Sequence, residues 1–284
     1  MKILLTGATG ATGKHLVHQL LEADHEVQAI VRSAEKFTKE TRNHKNLSIT
    51  TSTILDMSEE ELITHIEWCD VIVSTLGHNL TFKGMFGNPR RLVTNSIKRL
   101  CQVIENKRIN KSVKMILMNT VGCKNEDLKE KSSFSESCVF FILRYLLPPA
   151  SDNEKAVGYL RTTIGQNHPN IEWVVVRPDS LTNEEKTSTY TTHPSPTHTL
   201  FKPAKTSRIN VAHFISELIS QKSLWSEWKG QMPVIYNSEN YNSHIPDTYP
   251  VIQSWHYERT IYILINCHCN NSFCDISFLG MRIL

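Results

Sequence analysis

Gly7, Gly10 and Gly13 stand three apart in the run Thr6-Gly7-Ala8-Thr9-Gly10-Ala11-Thr12-Gly13, with only small residues between them. Such a run suits the binding of a pyrophosphate. The anion needs bare backbone N–H groups at the start of a helix, where the helix dipole also favours negative charge, and larger side chains would block its approach. Glycine further permits the positive φ of a tight turn and the close packing of helix on strand. The run follows the apolar stretch Ile3-Leu4-Leu5 and opens a helical one, the setting in which a glycine motif carries meaning.

Arg32 lies 25 residues beyond Gly7, at the end of the next apolar stretch. In dinucleotide-binding sheets a carboxylate near this place favours the ribose hydroxyls of NAD, whereas an arginine accommodates the 2′-phosphate of NADP. No carboxylate occupies the predicted strand end. Ser33 adds a hydroxyl and Lys36 a further charge, so the expected cofactor is NADP(H), with NAD the lesser alternative.

The elements that must position these groups read as strands alternating with helices. Strands are predicted at Ile3 to Thr6, Glu26 to Arg32, Leu47 to Ser52, Val71 to Leu76, Val113 to Asn119 and Ile171 to Val176. Most are near-continuous apolar runs rich in Val and Ile, as in strands covered on both faces of a parallel sheet. Leu16, Val17, Leu20 and Leu21 recur at helical spacing between them, as do Leu92, Ile97, Leu100, Cys101 and Ile104. Alternation of this kind implies an α/β fold, a doubly wound parallel sheet of Rossmann type with a small substrate-side region. The pattern stops near Asn237. The expected division is therefore a dinucleotide-binding domain at 1–237 and an irregular tail at 238–284.

A chain of 284 residues, 40% hydrophobic and 21% charged, can bury a sizeable core. A net charge of +3 is too small to imply a nucleic-acid or membrane partner, leaving a small-molecule substrate as the expected one and the oligomeric state open. Met1-Lys2 runs straight into Ile3-Leu4-Leu5 and then a turn, so no secretory signal is read and a cytoplasmic chain is expected. The seven cysteines are odd in number and scattered, which argues for reduced thiols. Cys267-His268-Cys269 with Cys274 fits no common zinc spacing, and no metal site is read there.

The run Thr6 to Gly13 resembles the opening of the atypical short-chain dehydrogenase/reductases, a group that includes NmrA-like and flavin-reductase-like proteins. Asp70-Val-Ile-Val-Ser-Thr-Leu-Gly77, Trp173-Val-Val-Val-Arg-Pro178 with Asp179-Ser180-Leu181, and Thr206-Ser-Arg-Ile-Asn-Val-Ala-His213 are similar too. The resemblance spans roughly Met1 to Asn237. It implies that Thr9, Ala11 and Thr12 lie along the pyrophosphate and that Asp56 lies near the adenine. It further implies that Thr75, Leu76 and Gly77 border the riboses, and that Asn119 with Thr120 sits by the nicotinamide.

Catalytic members of the group use a tyrosine followed four residues later by a lysine. None of the eight tyrosines here has that partner; Tyr159, the best placed, is followed at that distance by Thr163. Hydride transfer would need another proton source. Thr120 and His78 are the candidate catalytic residues, with Asp179 and His193 as further candidate donors or substrate contacts. Arg177, before Pro178, is expected to brace the strand end. Phe140, Phe141, Leu143, Leu146 and Leu147 read as a helix docked on the core or covering the substrate. The sequence thus predicts an NADP(H)-binding oxidoreductase of atypical short-chain type. The alternative is an NmrA-like module that senses NADP(H) without turnover.

Overall fold

The computed structural model describes residues 1–78, 81–106, 111–131 and 133–238. The tail from 239 onward, including Cys267, His268, Cys269 and Cys274, lies outside the described residues.

The main sheet has eight strands. Seven run parallel, namely β1 (Lys2–Thr6), β2 (Glu26–Val31), β3 (Leu47–Thr51), β4 (Val71–Ser74), β5 (Val113–Met118), β6 (Ile171–Pro178) and β10 (Val234–Asn237). Their order is β3-β2-β1-β4-β5-β6-β10, and β8 (Tyr190–His193) closes the edge antiparallel to β10. Two short strands, β7 (Ser180–Thr182) and β9 (Lys205–Ser207), pair separately. The doubly wound parallel sheet predicted from the alternation is therefore present. β7 to β10 were not predicted: three to four residues long, they carry too little periodicity to be read as strands.

Side chains alternate between two cores, as the pleat requires. Leu4, Ile30, Ile72, Met115, Leu117, Trp173 and Val175 face one side. There they meet α3 (Glu59–Trp68), α5 (Leu92–Asn106) and α7 (Pro148–Gly158), which runs on into a π-helical turn at Tyr159–Ile164. Ile3, Leu5, Ala29, Val31, Val71, Val73, Ile116, Val174 and Val176 face the other. They meet α1 (Ala11–Glu22), α8 (Arg208–Ser220) and α9 (Lys222–Trp228). Each fully buried aliphatic side chain contributes about 1.5–3 kcal/mol, which is why the strands read as unbroken apolar runs.

The described residues also form α2 (Lys39–Arg42), α4 (Phe82–Phe86) and α6 (Phe134–Leu146). Serine capping boxes start α3 at Ser58 with Glu61 and α6 at Ser133 with Glu136. Helix α6 lies on the surface: Phe140 and Leu143 are half-buried, whereas Phe141 and Leu146 are exposed. Among the described residues no helix is long and apolar enough to cross a membrane.

Candidate functional site

The strand order reverses between β1 and β4, the place where the loops leaving the strands of an open parallel sheet part to admit a ligand. The strand ends are tied together there. The Thr75 amide donates to the Thr6 carbonyl at 3.0 Å and the Thr75 hydroxyl to the same oxygen at 3.1 Å. Gly7 turns out of β1 with φ +78°, and a Cβ on it would stand 2.6 Å from the Thr75 carbonyl carbon. A Cβ on Gly13 would run into the Gly7 carbonyl oxygen and stand 2.9 Å from the Ala8 Cα. These two glycines are thus demanded by the packing of β1, β4 and α1 on one another.

Gly10 is the N-cap of α1 and supplies no side-chain cap. Its own amide donates to the Gly7 carbonyl at 2.9 Å, and its carbonyl accepts from Lys14 at 3.0 Å. The amides of Ala11, Thr12 and Gly13 belong to the first turn, where a helix has no carbonyl to offer them. Gly10 and Ala11 are exposed, Thr9 is half-buried, and Thr12 and Gly13 are buried behind them, so the positive end of the helix is open to solvent at Gly10 and Ala11. The cradle fits a dinucleotide pyrophosphate by shape and by charge.

Arg32 follows β2, is exposed, and has no carboxylate or other hydrogen-bond partner among the described residues. Ser33 differs from the sequence reading. Its hydroxyl donates to the carboxylate of Glu35, which brings a negative charge to the strand end where none was read. That bond holds the Glu35 carboxyl below its ordinary pKa. Lys36 is exposed one residue on. Asp56, beyond β3, lies in a turn in which its carboxylate accepts from the Thr53 hydroxyl at 2.6 Å.

Leu76 packs partly against the core, and Gly77 is exposed with no atom within 4 Å of where a Cβ would be. Asn119, past the end of β5, is buried: its amide group donates to the Asn153 carbonyl at 3.2 Å and its side-chain oxygen accepts from the Thr120 amide at 2.9 Å. The Thr120 hydroxyl accepts from the Gly122 amide at 3.3 Å, which leaves its own proton available to a neighbour. Phe140 of α6 packs beside Gly122, making α6 the wall next to Thr120.

His78 has a different setting from that of a proton donor in an open crevice. Its side chain is 4% exposed, with Nε2 2.8 Å from Asp152 Oδ2 and Nδ1 3.1 Å from the Gly84 carbonyl oxygen. Both neighbours can accept hydrogen bonds, an arrangement that favours hydrogen on both ring nitrogens. The same Asp152 carboxylate accepts from the Val93 and Thr94 amides at 2.8 and 3.0 Å, capping the start of α5 from another helix. His78 thereby ties the end of β4 to α5 and α7.

The bond to Asp152 raises the His78 pKa above its ordinary 6.5. Burial pushes the Asp152 carboxyl up, but the bonds from His78, Thr94 and Val93 together outweigh it and hold its pKa below 3.8. The histidine's stabilising contribution is complete below pH 6.5 and is lost as pH rises through its folded value. The carboxylate's contribution is present above pH 3.8 and is lost as pH falls through its lower folded value. Thermal melting should therefore decline as pH rises from neutral towards the raised pKa of His78. Asp152→Asn should flatten that decline and lower stability near pH 6 by about 2 kcal/mol or more, because the α5 amides lose a charged acceptor. An unchanged melting profile in the variant would exclude this role.

Tyr159 begins the π-helical turn against the core, and burial pushes its phenol pKa up, away from proton exchange near neutrality. Asp179, just past β6, is partly buried; desolvation raises its pKa, and its Oδ2 accepts from the Ala204 amide at 2.9 Å. His193 ends the edge strand β8, with Nε2 3.1 Å from the Thr191 hydroxyl. Arg177 braces the strand end, as its place before Pro178 suggests, but through more bonds than the sequence indicates. Its guanidinium donates to the carbonyls of Met232, Cys123 and Pro194, and in bidentate fashion to Glu130 at 2.7 and 2.9 Å.

Sequence reasoning missed Asp152, Glu130 and Glu35. Only Glu35 left a signal, the Ser-x-Glu spacing after Arg32; the other two are ordinary acidic residues until the chain folds.

Residues 7–222 match the NAD(P)H-binding family. No curated protein matches the chain by sequence. Among solved structures, the oxidoreductase ylbE from Lactococcus lactis is similar with a TM-score of 0.59 at 21% identity, over 84% of this chain and 91% of that one. A short-chain dehydrogenase/reductase from Veillonella parvula, solved in complex with NADP, gives 0.62 at 15% identity, over 84% and 95%. The anaerobillin reductase ChuY from Escherichia coli gives 0.59 at 18% identity, over 88% and 100%. At such identities the likeness is one of fold.

Proposed function

We propose that this chain, which belongs to the NAD(P)H-binding family, is an NADPH-dependent reductase of atypical short-chain type acting on a small organic acceptor. The observation that carries the reading is the cradle itself: amides of the first turn of α1 left without a cap, beside two glycines that no other residue can replace without moving β4 or the loop. Ala11, Thr12 and Gly13 would hold the pyrophosphate, with Thr9 alongside. Arg32 would take the 2′-phosphate, and Asp56 would border the adenine. Thr75, Leu76 and Gly77 would line the riboses, and Asn119 with Thr120 the nicotinamide end. A bound nicotinamide supplies the hydride. The chain's own part is to orient the acceptor against that face and to present a proton. Thr120 would be the hydroxyl that presents it, relaying from solvent in place of a Tyr–Lys pair.

Titration with NADPH and NADH tests the cofactor. Arg32→Asp should weaken NADPH binding by about 1–3 kcal/mol, the loss of charge-assisted hydrogen bonds, and leave NADH nearly unchanged. Equal affinities in the unaltered protein would contradict the assignment, and Glu35, bonded to Ser33, would then mark a site suited to NAD. Oxidation of NADPH by carbonyls, quinones or flavins tests turnover. Burial of Tyr159 and the missing lysine favour one other reading, an NmrA-like sensor that binds without chemistry. It requires clearly different affinities for oxidised and reduced cofactor and no turnover.

A further inference from the structure

Helix α6 turns an apolar stripe outward. Phe134, Phe141, Tyr145 and Leu146 are each more than half exposed, and Cys138 and Ile142 are exposed between them. Phe134, Cys138, Phe141 and Tyr145 are spaced four, three and four apart, the repeat that places residues along one seam of a helix facing another helix. The order of that spacing is the same read in either direction. Two copies running antiparallel therefore set Phe134 against the partner's Tyr145 and Cys138 against the partner's Phe141, on both sides of a two-fold axis.

The charges agree with self-pairing. Glu136 is buried in the capping box and receives the Leu200 amide, while Arg144 is paired with Glu154 at 2.6 Å. The seam is flanked by Ser135, Ser137, Ile142 and Arg144, and the antiparallel register sets Arg144 beside the partner's Ser135, so two copies bring no like charges together. A helix that lies on lipid carries rows of Lys and Arg beside its apolar face, and α6 has Arg144 alone, already paired with Glu154. The exposed side chains offer on the order of 600 Å² per copy, given that an aromatic side chain can bury about 150–250 Å². Pairing would bury on the order of 1,200 Å², the lower edge of stable specific interfaces.

We infer that α6 is the homodimerisation surface of this chain, pairing antiparallel with α6 of a second copy. Sedimentation velocity of the full chain over a wide concentration range reads the assembly directly. A dimer is expected, with Cys138 protected from thiol labelling when modification is read peptide by peptide. Phe134→Glu and Tyr145→Lys each place one charge in the seam and should raise the dimer Kd by about 100-fold, with circular dichroism unchanged. The two substitutions in one chain set opposite charges face to face at both ends and should restore the dimer. A monomer at every concentration overturns the inference, and its flotation with phosphatidylcholine–phosphatidylserine vesicles would assign the stripe to lipid. A dimer indifferent to both substitutions, or one not restored by combining them, overturns it as well.

Discussion

Replacing Arg177 by methionine will lower the stability of the fold by about 3–5 kcal/mol, the usual consequence of removing one partner from a buried ion pair. The side chain is 0% exposed and Glu130 has 5% side-chain exposure, so neither charge has water to fall back on. The loss is wider than one pair, because the guanidinium also satisfies the Met232, Cys123 and Pro194 carbonyls. Three segments remote in sequence, the 123–130 loop, the approach to β10 and the loop after β8, meet at that one group. Chemical denaturation followed by circular dichroism measures the effect. Arg177→Met combined with Glu130→Leu should recover part of the loss, since the stranded carboxylate is then gone. A variant within about 1 kcal/mol of the unaltered protein would mean that the network is not a brace.

Gly13→Val should have the largest effect on binding. A Cβ there meets the Gly7 carbonyl oxygen, so the phosphate loop and the first turn of α1 must separate. Two or more charge-assisted hydrogen bonds to the pyrophosphate would lose their alignment, at a combined cost of about 3 kcal/mol or roughly 100-fold in dinucleotide affinity. Fluorescence titration with NADPH reads it. Gly158→Ala, at the end of α7, is the matched control, because nothing lies within 4 Å of the added methyl and its φ is -55°. Gly158→Ala should fold and bind nearly as well as the unaltered protein. Similar losses in both variants would show that the effect is not particular to the phosphate loop, and the specific argument for Gly13 would fail.

The parts of the site written in consecutive residues were legible. Gly7 and Gly13 announce themselves because a strand, a tight turn and a helix start follow within a dozen residues, and only glycine meets the steric demand. The same local logic made β1, β2, β4, β5 and β6 readable, since strands covered on both faces are largely apolar, while the end strand β3, half polar, showed only weakly. Arg32 was visible for the same reason, at a strand end fixed by its apolar run. The short strands β7 to β10 were not, because each is held by its neighbours more than by any pattern of its own.

Pairing across the chain was decided only by the tertiary structure. His78 and Asp152 are 74 residues apart, and Arg177 and Glu130 are 47 apart. Nothing in the composition of either segment singles out the partner. Which acidic residue arrives beside which base depends on the register of β4, β5 and β6 and on how α7 crosses α5. The outward stripe of α6 follows the same rule. Its residues are as apolar as those of a core helix, and only the docking of Phe140 and Leu143 inward determines that Phe134, Phe141 and Tyr145 face out. Periodicity and glycine spacing act within one element and so are encoded there. The partners of buried charges and the free faces of helices arise when elements meet, and for this chain they were settled at that stage.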